Sequence, residues 1–192
     1  MKRYLLIAVI LFTTRLISAQ PIIDIGLKGG INASKVSLDI NDYNESTITK
    51  MHFGAFGRVG WKKVYVQPEV YFTKKGGEFS SNVFSLAGDF DYSAVDVPVL
   101  LGVRLLDAKV LDLHLIAGPV LGFVTKSDVK GNPEFDESYF KDHYLGLQYG
   151  AGVDVLFLTV DFRFEHGNTV YEHPDFDGKN TTFMVTVGFK IL

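Results

Sequence analysis

Residues 158–165 read LTVDFRFE. Leu158, Val160, Phe162 and Phe164 alternate with Thr159, Asp161, Arg163 and Glu165. An extended chain puts alternate side chains on opposite faces, so one face of this segment is wholly apolar and the other polar or charged. A helix would scatter both sets around its circumference. Only a strand separates them.

The same period runs outward from this segment in both directions. Toward the C-terminus, Phe183, Val185, Val187, Phe189 and Ile191 oppose Met184, Thr186, Gly188 and Lys190. Just before it, Leu147, Tyr149, Ala151, Val153 and Val155 oppose Gly146, Gln148, Gly150, Gly152 and Asp154. Further apolar rows begin at Leu111, Val95, Val64, Phe53 and Ile23, each interleaved with a polar or glycine-rich row. That makes eight candidate strands. Short connections are expected near Lys62-Lys63, Asp107-Ala108-Lys109 and Leu156-Phe157. Long polar ones are expected over Ser37–Lys50, Gly77–Tyr92, Lys126–Asp142 and Gly167–Asn180.

A chain of 192 residues with 47% hydrophobic and 21% charged residues suits one folded domain and excludes a disordered one. There is no cysteine, which removes disulfide frameworks, thiolate metal sites and cysteine nucleophiles. The formal charge of −3 gives no basic footprint for nucleic acid. At the N-terminus, Lys2 and Arg3 precede nine apolar residues from Tyr4 to Phe12, and small residues Ser18 and Ala19 follow. This is the pattern of a secretory signal peptide over residues 1–19, cleaved after Ala19. The apolar run falls well short of the roughly 20 residues a membrane-spanning helix needs. Removing Lys2, Arg3 and Arg15 leaves 16 cations against 22 acids, a mature charge of −6.

Which face of the sheet is inside decides the class. A soluble lipocalin-like barrel would enclose its apolar face around a ligand. A membrane barrel turns that face to lipid and fills its lumen with the polar one. About ten residues at 3.3 Å, tilted by roughly 40°, span around 25 Å, the height of a lipid-facing band. Eleven glycines fall on the polar face, among them Gly26, Gly54, Gly102, Gly122 and Gly152. Small residues there suit the crowded interior of an eight-stranded barrel. The expected fold is therefore all-β, an eight-stranded antiparallel up-and-down transmembrane barrel over residues 20–192, with short periplasmic turns and long extracellular loops.

Inward charges must be paired, since an isolated charge away from water costs several kcal/mol. The candidate network contains the cations Lys28, Arg58, Arg104, Arg163 and Lys190. Its anions are Asp24, Glu69, Asp96, Asp112, Asp154, Asp161 and Glu165. A tight turn centred on Ala108 sets Arg104 directly across from Asp112. The network reads as a structural plug in a narrow barrel, and alternatively as a proton or ion path.

Several segments in order, YVQPEVYFTKKG (65–76), VDVPVLLGVRL (95–105), AGPVLGFV (117–124), YGAGVDV (149–155) and TVGFKIL (186–192), resemble the PorT-type outer-membrane β-barrel family. The resemblance covers the mature chain. It implies an eight-stranded barrel in a Gram-negative outer membrane, and one branch of that family is linked to protein secretion across the membrane. It supplies no functional residues.

Acyl transfer or deacylation on lipid A would need a serine–histidine pair with a carboxylate at the outer lipid boundary. His52, His143 and His166, with Ser34, Ser80, Ser81 and Ser93, are the candidates by position. No compact motif joins them, so no catalytic residue, metal ligand or cofactor is assigned. Acids such as Asp39, Asp42, Glu45, Glu134 and Asp136 make an acidic outer crown, readable as a solvated loop set or as a divalent-cation or basic-partner surface. Loop aromatics Tyr43, Phe84, Phe90, Tyr92, Phe135, Tyr139, Phe140, Tyr171 and Phe176 read as headgroup anchors or as a contact surface. The expected function is a non-enzymatic outer-membrane anchor with binding loops, or an accessory subunit of a larger complex. Expected partners are membrane lipid and lipopolysaccharide, and a protein reached through loops or turns.

Overall fold

The computed structural model describes residues 22–38, 43–61, 63–81, 86–108, 110–130, 141–173 and 176–191. The candidate signal peptide, residues 1–19, lies outside the described residues. The strands are β1 (Ile22–Leu38), β2 (Tyr43–Ser46), β3 (Ile48–Trp61), β4 (Val64–Ser81) and β5 (Leu86–Asp107). They continue as β6 (Leu111–Lys130), β7 (His143–Val155), β8 (Leu158–His173) and β9 (Phe176–Lys190). The four-residue β2 pairs only with the far end of β4. The other eight form an antiparallel ring, each bonded to its sequence neighbours, with β1 pairing β9 to close it. Closure leaves no free sheet edge along the ring, the condition for crossing a bilayer without helices.

The alternation predicts both faces correctly, and the burial is inverted relative to a soluble protein. Leu27, Phe53 and Leu101 are 54–64% exposed on the outside, whereas Lys75, Asp96 and Arg163 are fully buried inside. A lipocalin-like barrel, with its apolar residues enclosed, is the opposite arrangement. Two small apolar clusters sit among the inward groups, Tyr65–Leu100–Ile116 and Tyr92–Ala94–Tyr144. Glycine makes room for the large ones. A Cβ on Gly102 would fall within the Tyr65 ring, and one on Gly122 within the Tyr144 ring.

At one end the hairpins are tight. Trp61 pairs Val64, and Val155 pairs Leu158 across Leu156-Phe157, where Leu156 has φ 54°. At the other end the strands outrun the apolar band. β4 and β5 stay paired up to Ser81 opposite Leu86, and β8 and β9 up to His173 opposite Phe176. Much of Ser37–Lys50, Gly77–Tyr92 and Gly167–Asn180, expected as loop, is therefore hydrogen-bonded strand. The physical reason is that a ladder is a backbone property and continues where both faces are polar and period two has vanished from the side chains. Tyr92, read as a loop aromatic, is correspondingly a buried lumen residue packed edge-on against Tyr144.

The ladder has gaps. Three coincide with prolines, Pro68 in β4, Pro98 in β5 and Pro119 in β6, which have no N–H to contribute. A fourth lies between β3 and β4 and has no proline. Ser46 of β2 pairs Glu78, and the next pair down is His52 with Thr73. Across this gap five residues, 47–51, face four, 74–77. The side chain of Asn32, reaching over from β1, donates to the Lys74 carbonyl oxygen at 2.7 Å.

Candidate functional site

The chemistry of this chain is concentrated in the lumen, because parity sends the strand charges within the apolar band there. Near the tight-turn end, Arg58 Nη1 lies 2.5 Å from Asp154 Oδ2 and 3.8 Å from Asp24 Oδ2. Lys190 Nζ shares the same Asp154 oxygen at 3.2 Å. The guanidinium of Arg58 also lies 4.4 Å from the centre of the Tyr65 ring, a cation–π contact. One strand step further, His114 Nε2 is 2.9 Å from Asp161 Oδ1.

At mid-height, Arg163 bridges Glu69 at 2.8 Å and Asp161, while Lys28 pairs with the same Glu69 oxygen. Gln67 links levels, accepting from Arg58 Nε at 2.8 Å and donating to Glu69 at 2.6 Å. Toward the long-hairpin end, Lys75 Nζ pairs with Asp96 at 2.6 Å and with Glu165, and donates to the Tyr144 hydroxyl at 2.8 Å. Tyr144 in turn donates to the second Asp96 oxygen at 2.6 Å. Gln148 joins Glu165 to Tyr71, whose ring is capped by Lys28. Two sets of ion pairs and hydrogen bonds, joined by the Lys28–Tyr71 cation–π contact, thus run along the lumen.

All twelve residues expected to form the network point inward, and each has an opposite charge within 4 Å. One detail is corrected. Arg104 and Asp112 pair at 3.2 Å, but Arg104 stands opposite His114, and Asp112 opposite Asp107. The turn is wider than expected, setting Asp107 opposite Asp112, and a bulge between Arg104 and Leu106 takes back only one residue of that offset. Two members were missed. Lys75 falls between the strand row expected to end at Thr73 and the loop expected from Gly77, although it shares the parity of Glu69 and Tyr71. His114 shares the inward parity of Asp112 and sits between Asp161 and Asp154, 3.7 Å from the latter.

The candidate acyl-transfer residues are not brought together. Ser34 bonds Thr182 in the lumen at 3.1 Å, and His52 Nε2 bonds Thr186 at 2.9 Å. His166 faces outward, stacked on Tyr149 with its Nε2 3.0 Å from the phenolic oxygen. The side chains of Ser80 and Ser81 lie outside the described residues, as do most of the acidic crown and the aromatics Phe84, Phe135, Tyr139 and Phe140.

The outward face has a sharp upper edge. Phe72 gives way to Lys74, Phe123 to Thr125, Phe164 to His166 and Phe183 to Thr181. Aromatic pairs mark it, Phe53 on Phe72 at 5.5 Å and Phe164 on Phe183 at 5.0 Å. Trp61, and Phe157 against Phe189 at 5.0 Å, mark the other edge. Such girdles are the interfacial signature of membrane barrels.

A family model described as an outer membrane protein beta-barrel domain matches residues 18–167. No curated protein sequence matches the chain. Among solved structures, the outer membrane protein OprG from Pseudomonas aeruginosa is similar with a TM-score of 0.54 and 12% identity, over 89% of this chain and 95% of that one. Neisserial surface protein A is similar with a TM-score of 0.53 and 10% identity, over 87% and 97%. The attachment invasion locus protein Ail of Yersinia pestis has a TM-score of 0.46 and 17% identity, over 88% and 98%. At these identities the likeness to OprG and to the neisserial protein is one of fold.

Proposed function

Because the chain belongs to the outer membrane protein beta-barrel domain family, we propose that it is a non-enzymatic anchor whose long hairpins bind a partner outside the cell. Residues 1–19 would direct export and be removed after Ala19. In barrels of this kind the short turns face the periplasm and the longer connections face outward. On that rule the extended hairpins β4–β5 and β8–β9 project from the cell. The observation that supports the reading is the division of labour in the chain. The inward charges neutralise one another across a filled lumen, which leaves the projecting hairpins as the part free to vary and to bind. Eight strands enclose side chains rather than a continuous water channel, so the network acts as a plug.

The test is purification from outer membranes in mild detergent, comparing the full chain with one whose β4–β5 hairpin is shortened between Gly77 and Phe90. The reading expects a stoichiometric partner on the full chain that is lost when the hairpin is shortened, with the barrel still folded. Retention of the partner on the shortened chain would contradict it. The ordered PorT-type segments favour a second reading, an accessory subunit of a secretion complex, in which contacts through the periplasmic turns would survive the shortening. A lipid A-modifying enzyme is the alternative of a different class. Lipid A mass spectra with and without the gene separate it, and the anchor reading expects identical spectra.

A further inference from the structure

The proline-free gap between β3 and β4 opens where the outward face changes from apolar to polar. Beside it lies a cleft of about 930 Å³, within the range of small-molecule sites. Met51, Phe53 and Phe72 form its apolar part, and Lys50 and Lys74 its polar edge. An adjoining hollow of about 140 Å³ adds Lys126 and Asp91. Lys50 is paired to Asp91 at 2.9 Å. Neither Lys74 nor Lys126 has a carboxylate partner among the described residues. The Asn32 amide satisfies the Lys74 carbonyl from within, so the gap costs the strand edge nothing there and stays open.

We propose that this seam holds one phosphorylated, acylated lipid of the outer leaflet. An acyl chain lies along Met51, Phe53 and Phe72, and the phosphate sits between Lys74 and Lys126. Two ammonium groups with no carboxylate partner among the described residues suit a phosphate dianion better than a single carboxylate. Their height fits a headgroup, because Phe72 one step below is already in the apolar band. A free fatty acid carries too little charge for the rim, and a protein segment has no reason to place an aliphatic chain against the Phe53–Phe72 pair. The inference rests on the long hairpins facing outside, and it adds a lipid site to the anchor reading.

The test is native mass spectrometry of the purified full chain in nonionic detergent with added diphosphoryl lipid A. Wild type is expected to retain one lipid A per chain. The double variant Lys74→Gln/Lys126→Gln is expected to bind at least tenfold more weakly, as is Phe72→Ser. Lys63→Gln, at the tight-turn end, should bind as wild type does. Lipid A stripped of its phosphates should bind wild type no better than intact lipid A binds the double variant. Equal retention by wild type and the double variant overturns the site, and so does displacement by palmitate at equal concentration. Each variant is checked for the faster migration of a folded barrel on unheated gels. A chain that folds yet binds no lipid A sinks this inference and leaves the anchor reading intact, whereas a chain that needs no detergent sinks both.

Discussion

Arg104 Nε lies 3.2 Å from Asp112 Oδ2 although the two residues are not cross-strand partners. The wide turn leaves His114 opposite Arg104 even after the bulge takes back one residue, and the long guanidinium recovers the pair diagonally. Arg104 is buried and Asp112 only partly exposed, so water screens the pair incompletely. Arg104→Gln should therefore cost about 1–3 kcal/mol, between accessible and fully buried ion pairs. Urea unfolding of the barrel in lipid vesicles, followed by the fluorescence of the single tryptophan, measures it.

Lys75 stands at the opposite extreme. It is fully buried between Asp96 and Glu165. Lys75→Met leaves two carboxylates facing each other without a cation, and should cost about 3–5 kcal/mol, as for breaking a buried pair. Adding Glu165→Gln to it should recover part of that loss by removing one of the two stranded charges. A double variant less stable than Lys75→Met alone would contradict the assignment of Lys75 as their shared counter-ion.

The two faces of β8 give a paired prediction. Phe162 is at mid-height on the outward face, and Phe162→Arg should destabilise insertion by about 2–4 kcal/mol. Thr159 is buried in the lumen beside Gly188. Thr159→Arg should act by overpacking, about 1–3 kcal/mol, and should be relieved by thinning a neighbour rather than by thinning the bilayer. Unfolding in lipids of different chain length distinguishes the two, since only the Phe162 variant should respond.

Gly122 lies against the Tyr144 ring, and Gly102 against that of Tyr65. Gly122→Ala must push Tyr144 away from Asp96 and Lys75, weakening both hydrogen bonds. A loss of about 1–3 kcal/mol is expected, together with a change in near-ultraviolet circular dichroism from the displaced tyrosine. The same substitution at Gly57, whose surroundings are open, should leave that spectrum unchanged.

Most of the barrel was legible because the membrane imposes period two on every strand that crosses it. Phe162 and Arg163 had to face opposite ways, and they do. Above the apolar band nothing imposes that contrast. Residues 77–81 and 86–92 therefore look like loop in the sequence while forming ladder, and Lys75 lies just past the last residue whose alternation marks β4. The Arg104 bulge shows in the sequence only as the Leu105-Leu106 doublet that interrupts the alternation. Partners across the lumen were also beyond reach. In a narrow barrel any inward cation can meet several anions, and only the three-dimensional packing makes Glu69 the shared acceptor of Lys28 and Arg163. The Asn32–Lys74 contact spans a strand and has no sequence signal at all.

The claim that everything else rests on is that lipid touches the outward valines, leucines and phenylalanines. Trp61 is the only tryptophan, and it is exposed at the tight-turn edge of the apolar band. Its fluorescence in vesicles of acyl-chain-brominated lipid tests the claim directly. The account predicts strong quenching, greater with bromines near the headgroup than near the chain end, and no folded chain in water without detergent or lipid. A folded chain that stays in water and whose Trp61 is untouched by any brominated lipid would contradict it.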